Sequence, residues 1–384
     1  MKKIYAIILA GFFLLPCLLT RHTMAEEQEP NIAAKAAVVM EASTGRVIYA
    51  KNERERLYPA SMTKMMTCIL ALEAKDEGKI VTVSPNAAYT ESVPAGFQPG
   101  QKLTRGELLK ALMIISDNGA AVALAEDIGD TVPLFSQMMN EKAKEIGCAD
   151  TNFANPNGLP NPTHYSTALD MAKIAAYGML NEQFRAMVGT RHSIMYWEAP
   201  RGQTLAMENT NELLGDYEGA TGIKTGWTNA AGGCLAAAAK RDGLELIAVV
   251  MGAPTAGERF TDAKKVLDYG FGHARFQRGI SKERVNKTVL IKDGADYSVT
   301  ASPDTDINYV LLKDEKIADY GLKFAMERVV SAPVAKGQHL GDLVELYKGQ
   351  EVARIPMRAN EDVPTGFNFV SKFLVGALAF WLGK

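Results

Sequence analysis

The 384-residue sequence predicts a mixed α/β domain with an antiparallel sheet and a helical cluster, followed by a small all-β domain and a C-terminal amphipathic helix. Three observations predict it. Apolar strand patterns occur at both ends of the first 275 residues, with helix-period patterns between them. The composition changes after about Arg275 to short alternating runs bounded by turn residues. A last stretch from 359 to 384 combines a polar run with a wide apolar helical face.

The elements follow in order. "AAVVMEASTGRVIYA" reads as two strands joined by the turn Ser43-Thr44-Gly45. "TKMMTCILALEAK", "RGELLKALMII", "GAAVALAEDIG" and "TALDMAKIAAYGML" have apolar residues at helical spacing. "GCLAAAAKRDGLELIAVVMG" is a strand, an Asp242-Gly243 turn and a second strand. The first and last strands are expected to meet in one sheet, closed by a helix over "TDAKKVLDYGFGHA". In the second domain, expected over 276–358, "KTVLIKDG", "INYVLLKD" and "DLVELYKGQEVARIPM" are strands, and Lys348-Gly349-Gln350 is a hairpin turn.

Both termini carry targeting patterns. Lys2 and Lys3, the apolar run Ile4 to Leu19 and "TMA" ending at Ala25 read as an export signal over 1–25. The competing reading is a retained anchor, but the run is short for a spanning helix, which needs about 20 predominantly apolar residues, and Pro16 interrupts it. At the other end, Phe369, Phe373, Ala377, Phe380, Trp381 and their apolar neighbours sweep one wide arc of a helical wheel. The stretch Phe373 to Leu382 is too short to span a bilayer, and suits a helix lying in the outer face of the cytoplasmic membrane. The alternative is a helix docked on the β-domain. Against it, the polar run "RANEDVPTG" before it reads as a linker.

Composition excludes several classes. Net charge is −2, so nothing points to nucleic acid. The five histidines show no close ligand pair and no Gly-rich phosphate loop is present, so neither metal nor nucleotide cofactor is expected. After removal of the signal, Cys68, Cys148 and Cys234 remain. An odd, sparse set does not fit a disulfide framework, and buried free thiols are expected.

Three short motifs carry chemistry. In "YPASMTKMMT", Ser61 and Lys64 are three residues apart at a helix start, so they share a face. A serine hydroxyl needs a base to become a nucleophile, and a lysine buried among Met65, Met66 and Ile69 would lose enough pKa to serve. Alone, the pair also fits a surface helix. In "IISDNGAA", Ser116-Asp117-Asn118 falls in the break between two apolar helices, fitting a cap as well as a cleft. Ser84-Pro85-Asn86 has the same spacing but lies in a polar turn. In "GIKTGWT", at the start of the strand pair above, Lys224 offers a cation, Thr225 a donor, and Gly226 close approach to a backbone. A plain hairpin edge would look the same.

Together, and separated by about 55 and 108 residues, the three are specific. From about Ala33 to the C-terminus the sequence resembles the low-molecular-mass penicillin-binding proteins, serine D-alanyl-D-alanine carboxypeptidases. "RLYPASMTKMMT" and "NPNGLPNPTHYSTALDMAKIA" carry further likeness. The resemblance implies a β-lactamase/transpeptidase-like fold and residue roles. Ser61 is the acylated nucleophile, Lys64 its base and Ser116 a proton relay. Asn118 holds the substrate amide, and Lys224, Thr225 and Gly226 orient the terminal carboxylate. The backbone N–H groups of Ser61 and Trp227 form an oxyanion hole. Arg259 in "GERFTDAKK" matches a carboxylate-binding arginine on a looser alignment. The implied substrate is the peptidoglycan stem pentapeptide, with β-lactams as inhibitors. Two alternatives stand beside this: a class A β-lactamase, which would add a Glu-x-x-Leu-Asn pattern not found between Asn118 and Lys224, and a non-catalytic peptidoglycan-binding module on the same fold.

Overall fold

Strand segments with small and branched apolar residues on both faces must be covered on both sides. That requirement explains the first domain. The computed structural model describes residues 29–366, together with Phe373 and Ala377, and all that follows lies from Asn31 onward in one unit. β1 (Ala36–Glu41) and β2 (Val47–Lys51) form the first hairpin. A 3-10 turn over Ala60–Thr63 leads directly into α1 (Lys64–Glu73). Next come β3 (Ile80–Thr82), α2 (Pro85–Ala88), β4 (Lys102–Thr104), α3 (Arg105–Ile114), α4 (Asn118–Gly129) and α5 (Val132–Ile146). They are followed by α6 (Ala168–Met179), α7 (Glu182–Val188) and the hairpin of β5 (His192–Tyr196) and β6 (Thr204–Glu208). β7 (Ala220–Thr228), β8 (Gly232–Arg241), β9 (Leu244–Ala253) and α8 (Glu258–His273) complete the domain.

The sheet order is β2-β1-β9-β8-β7, so first and last strands do meet, antiparallel, with Val38 opposite Val249. Alternate residues sort to opposite faces. Val38, Ala236, Ala238 and Val249 pack against the helical cluster, while Val39, Ala237, Ala239 and Val250 pack against Ala263, Val266 and Leu267 of α8. One expectation is corrected here. Lys224-Thr225-Gly226 does not open the β8–β9 hairpin but lies on a strand of its own, β7, at the sheet's edge. Gly222, Gly226 and the mixed polar residues of that strand give too weak an alternation for it to be read as a strand. Cys68, Cys148 and Cys234 are buried free thiols, each raised in pKa by burial, which keeps them unreactive.

The second domain comprises β10 (Ala274–Ile280), β11 (Lys287–Lys292), β12 (Ser298–Pro303), β13 (Ile307–Leu312), β14 (Tyr320–Met326), β15 (Val329–Ser331), β16 (His339–Tyr347) and β17 (Gln350–Ala359). Its main sheet runs β14-β16-β17-β12-β11-β15, and β10 pairs separately with β13. Lys348 and Gly349, with φ of 48° and 80°, make the tight turn between β16 and β17. The run 358–366, expected to be a linker, is instead part of this domain. Ala359 pairs with Ala301, and buried Val363 bridges Val334. Its few apolar residues face inward, which a polar composition conceals. The signal segment 1–25 and the anchor helix fall outside the described residues, Phe373 and Ala377 apart.

Arg46, from the β1–β2 turn, ties the two domains. Its guanidinium donates to both oxygens of Glu315 at 2.9 and 2.6 Å, and to Val310 O and Tyr320 Oη at 2.7 Å each. Removing one partner from so buried a pair strands the other charge.

A second tie holds the long connection between α5 and α6 against the 3-10 turn and α1. Thr67 Oγ1 donates to Pro156 O at 2.6 Å. Ala154 N donates to His164 Nδ1 at 3.0 Å, which puts the ring proton on Nε2, 2.8 Å from Thr63 Oγ1. Burial lowers His164 from 6.5 to about 4. The folded protein therefore excludes a proton that the unfolded chain accepts below pH 6.5. His164 favours folding fully above that pH, and its contribution is lost as pH falls towards 4. The loss amounts to about 3 kcal/mol by pH 4. Urea unfolding should show a stability drop between pH 7 and pH 4 that is smaller by about this amount in His164→Gln. An unchanged acid limb in that variant would rule out His164 as its source.

Candidate active site

Ser61 lies on a 3-10 turn, where residues three apart eclipse one another, so the i, i+3 relation to Lys64 is closer than in the α-helix expected from sequence. The turn is entered through Ala60 at φ +48°, a left-handed conformation uncommon outside glycine. Two glycines make room for it. At Gly158 (φ +88°) a Cβ would fall 1.9 Å from Ala60 O, and at Gly226 it would fall 3.1 Å from Ser61 N. Only chains without a side chain there can close on the nucleophile turn from both sides.

Lys64 is wholly buried, at 0% exposure. Its Nζ lies 2.9 Å from Ser61 Oγ, 2.6 Å from Asn118 Oδ1 and 2.8 Å from Asn157 O. The last two are obligate acceptors, since Asn118 Nδ2 is committed to Glu91 O at 2.6 Å. A neutral amine has two N–H groups and one lone pair. With both N–H groups taken, the lone pair faces the Ser61 hydroxyl. Burial lowers Lys64 to about 7, against the opposing pull of the Asp117 carboxylate. No neighbouring cation is among the causes of this shift, whereas Lys64 itself helps to depress Lys224.

Ser116 (φ +61°) and Asn118 flank Asp117, the N-cap of α4. Asp117 is fully buried and accepts from Ala120 N at 2.8 Å and Ala95 N at 2.9 Å. It thus fixes the helix start and the strap beside it, and presents Ser116 and Asn118 to the cleft. Ser84, the sequence decoy, caps α2 instead.

The cleft, of about 580 Å³, is lined by Ser61, Ser116, Asn118, Thr225, Gly226, Trp227 and Arg259 among others. Seven of the nine residues singled out from sequence thus share one wall, and Lys64 and Lys224 stand behind it. Lys224 is 1% exposed, donates to Thr225 O at 3.0 Å, and is held well below its ordinary pKa by burial, with Lys64 and Arg259 adding. Arg259, in the first turn of α8, donates from Nη1 to Gly226 O at 2.9 Å. Its buried Nε has no partner among the described residues, leaving donor capacity for an anion. Trp227 is on the edge strand, with its ring partly exposed at the rim.

Sequence reasoning missed four contributors. Asp117 had a readable signal as a helix cap. Asn157 acts through its carbonyl, which no side-chain pattern reveals. Thr210 Oγ1, 2.6 Å from Thr225 Oγ1, and Glu91 lie far from any motif. The site sets the Ser61 hydroxyl against a lysine amine with a pKa near neutrality, and places a second serine hydroxyl and a guanidinium with spare donor capacity in the same cleft. That is the equipment of acyl transfer to serine.

Comparison with known proteins agrees. Residues 23–255 match the D-alanyl-D-alanine carboxypeptidase (peptidase S11) family profile, and residues 277–365 match the penicillin-binding protein 5 C-terminal domain. The chain is 37% identical to D-alanyl-D-alanine carboxypeptidase DacF of Bacillus subtilis, over 94% of this chain and 95% of that one. Among solved structures it is similar to penicillin-binding protein 5 of Haemophilus influenzae, with a TM-score of 0.67, 29% identity, and 88% and 99% of the two chains covered. It is also similar to the Streptomyces K15 DD-transpeptidase, with a TM-score of 0.60, 33% identity, and 64% and 99% covered. A mixed α/β transpeptidase-like domain bearing this cleft, joined to a β-rich C-terminal domain, therefore belongs to the peptidase S11 family of serine D-alanyl-D-alanine carboxypeptidases.

Proposed function

We propose that this protein removes the terminal D-alanine from peptidoglycan stem pentapeptides through an acyl-enzyme on Ser61, and that β-lactams acylate the same serine. The observation that carries the reading is the buried Lys64 amine, 2.9 Å from Ser61 Oγ and lowered to about 7. Lys64 takes the Ser61 proton as Oγ attacks the penultimate carbonyl. The oxyanion is held by the N–H groups of Ser61 and Trp227, each donor of this kind contributing about 3 kcal/mol. Ser116 passes a proton to the departing D-alanine amine, and Asn118 holds the acyl amide. Thr225 and Arg259 bind the terminal carboxylate, with Lys224 as a positioning group behind them. Recognition of a free carboxylate accounts for removal of a single residue. Water then hydrolyses the ester. The β-rich domain and the carboxypeptidase relatives favour this over a β-lactamase, and intact motifs favour it over a binding module.

We also propose export by the segment 1–25, a catalytic domain over 26–275, a β-domain that extends to about 366, and attachment to the outer face of the cytoplasmic membrane by the helix beyond it. Among the described residues no helix is long and apolar enough to cross a membrane. The apolar arc with few basic residues fits interfacial burial.

Penicillin labelling should rise with pH as Lys64 loses its proton, levelling above about 7. Ser61→Ala should abolish labelling and D-alanine release. Lys64→Arg, which stays protonated, should slow acylation by about 10² to 10⁴-fold. Normal acylation in the arginine variant would mean that another group is the base.

High salt should leave the full chain on membranes, whereas detergent should release it. A chain ending at Gly366, which keeps the Val363 packing, should be soluble and active on small peptides. Release by salt alone, or membrane retention of the shortened chain, would refute the anchor.

A further inference from the structure

A carboxyl group lies inside the junction of the two domains with no bond to hold its charge. Glu345 of β16 is 2% exposed, and among the described residues no hydrogen bond or ion pair reaches its side chain. Its strand neighbours are Leu322 of β14 and Ala353 of β17. Glutamate is almost never buried this fully unless it is paired.

Glu41 and Arg46 of the first domain, and Glu315 and Tyr309 of the second, lie close enough to act on it. Tyr320 and Arg275 complete the cluster, donating to the Glu315 carboxylate at 2.6 Å and to the Glu315 carbonyl at 3.1 Å. The other acids are already answered. Glu41 accepts from the amides of Ser43 and Thr44 at 3.0 and 2.6 Å, and from both of their hydroxyls. Glu315 forms a two-pronged pair with Arg46, at 2.9 and 2.6 Å, in which the charges cancel. An ionised Glu345 would be a further acid, out of water, facing Glu41 across the junction with the nearest cation already paired. Burial first, with Glu41 and Glu315 adding and Arg46 opposing, pushes Glu345 up to about 7.

We infer that Glu345 is a proton latch on the domain junction. With the proton on, the neutral carboxyl lets the Arg46 tie close. With the proton off, the junction opens to hydrate the carboxylate, and the hold on the β-domain loosens. The closed junction thus carries a proton that the opened one gives up, because Glu345 in water returns towards 4.5. Closure is favoured fully below pH 4.5, weakens by about tenfold per pH unit above it, and levels off above about 7. No group of this cluster is among the described residues lining the cleft, so the latch stands apart from the carboxypeptidase reading.

Native-state hydrogen exchange of the full chain between pH 5.5 and pH 7.5, read by mass spectrometry and corrected for intrinsic amide chemistry, tests it. Leu312 N donates to the Glu315 carboxylate at 2.8 Å and Glu315 N to Leu312 O at 2.9 Å, so both amides report on the junction. Their protection should fall by about tenfold or more over this range, while that of α4 in the helical cluster changes little. Glu345→Gln should flatten the profile at the protection seen in acid. Glu345→Leu, which fills the site without a carboxyl, should flatten it as well and serves where a buried amide is poorly tolerated. The dependence on pH is internal to each protein, so a uniform loss of stability in a variant cancels. Wild-type protection that stays level or rises with pH, a slope that survives both substitutions, or an equal loss in α4 overturns the latch.

Discussion

A lysine amine buried without any carboxylate hydrogen-bonded to it is the constraint on which the site depends. Lys64 makes its contacts with Ser61, Asn118 and the carbonyl of Asn157, three segments far apart in sequence. A salt bridge would have kept it protonated. Two neutral acceptors leave the amine solvated well enough to be tolerated inside the protein, yet shift the balance towards the neutral form. Asp117 opposes this from nearby, but its carboxylate is committed to the amides of Ala95 and Ala120, and burial raises its own pKa. The same burial that costs stability at Lys64 thus brings its amine near neutrality beside the Ser61 hydroxyl.

Around that amine the architecture is one of close approach. The 3-10 turn with Ser61 is pressed between Gly158 and Gly226, and α1 is tied to the following long connection by Thr63, Thr67 and His164. The sheet behind is assembled from alanine, glycine and valine, which lets α8 and the helical cluster approach from opposite faces. This brings Arg259 of α8 over the end of β7 while Ser61 enters from the other side. Electrostatics follow from the same geometry. Lys64 and Arg259 lie close enough to Lys224 to add to the lowering that its burial causes. The β-domain is held to this body by Arg46, whose guanidinium satisfies a carboxylate, a carbonyl and a phenol in one place.

Much of this was legible in the sequence. Paired hydrophobic strands at both ends of the domain required a common sheet, helical periodicity located α1, α3, α4, α6 and α8, and spaced Ser-x-x-Lys, Ser-Asp-Asn and Lys-Thr-Gly motifs named the residues that the fold gathers in one cleft. Local pattern failed where local pattern is weak. β7 was hidden because its glycines and polar residues serve the cleft rather than a core, and α5 and α7 went unread between stronger signals. The run 358–366 looked like a linker because polar residues outnumber the few that turn inward, Val363 among them.

The sequence by itself determined which side chains are available for acyl transfer and the order in which the chain delivers them, because side-chain chemistry and short-range periodicity are properties of neighbouring residues. Only the tertiary structure decided that Lys64 would be buried against carbonyl oxygens, that Asn157 would contribute through its backbone, and that Glu91 and Arg259 would stand as the two charges of one cleft. Burial and hydrogen-bond partnership depend on what segments distant along the chain bring to the same place, and these are what set a lysine near neutrality.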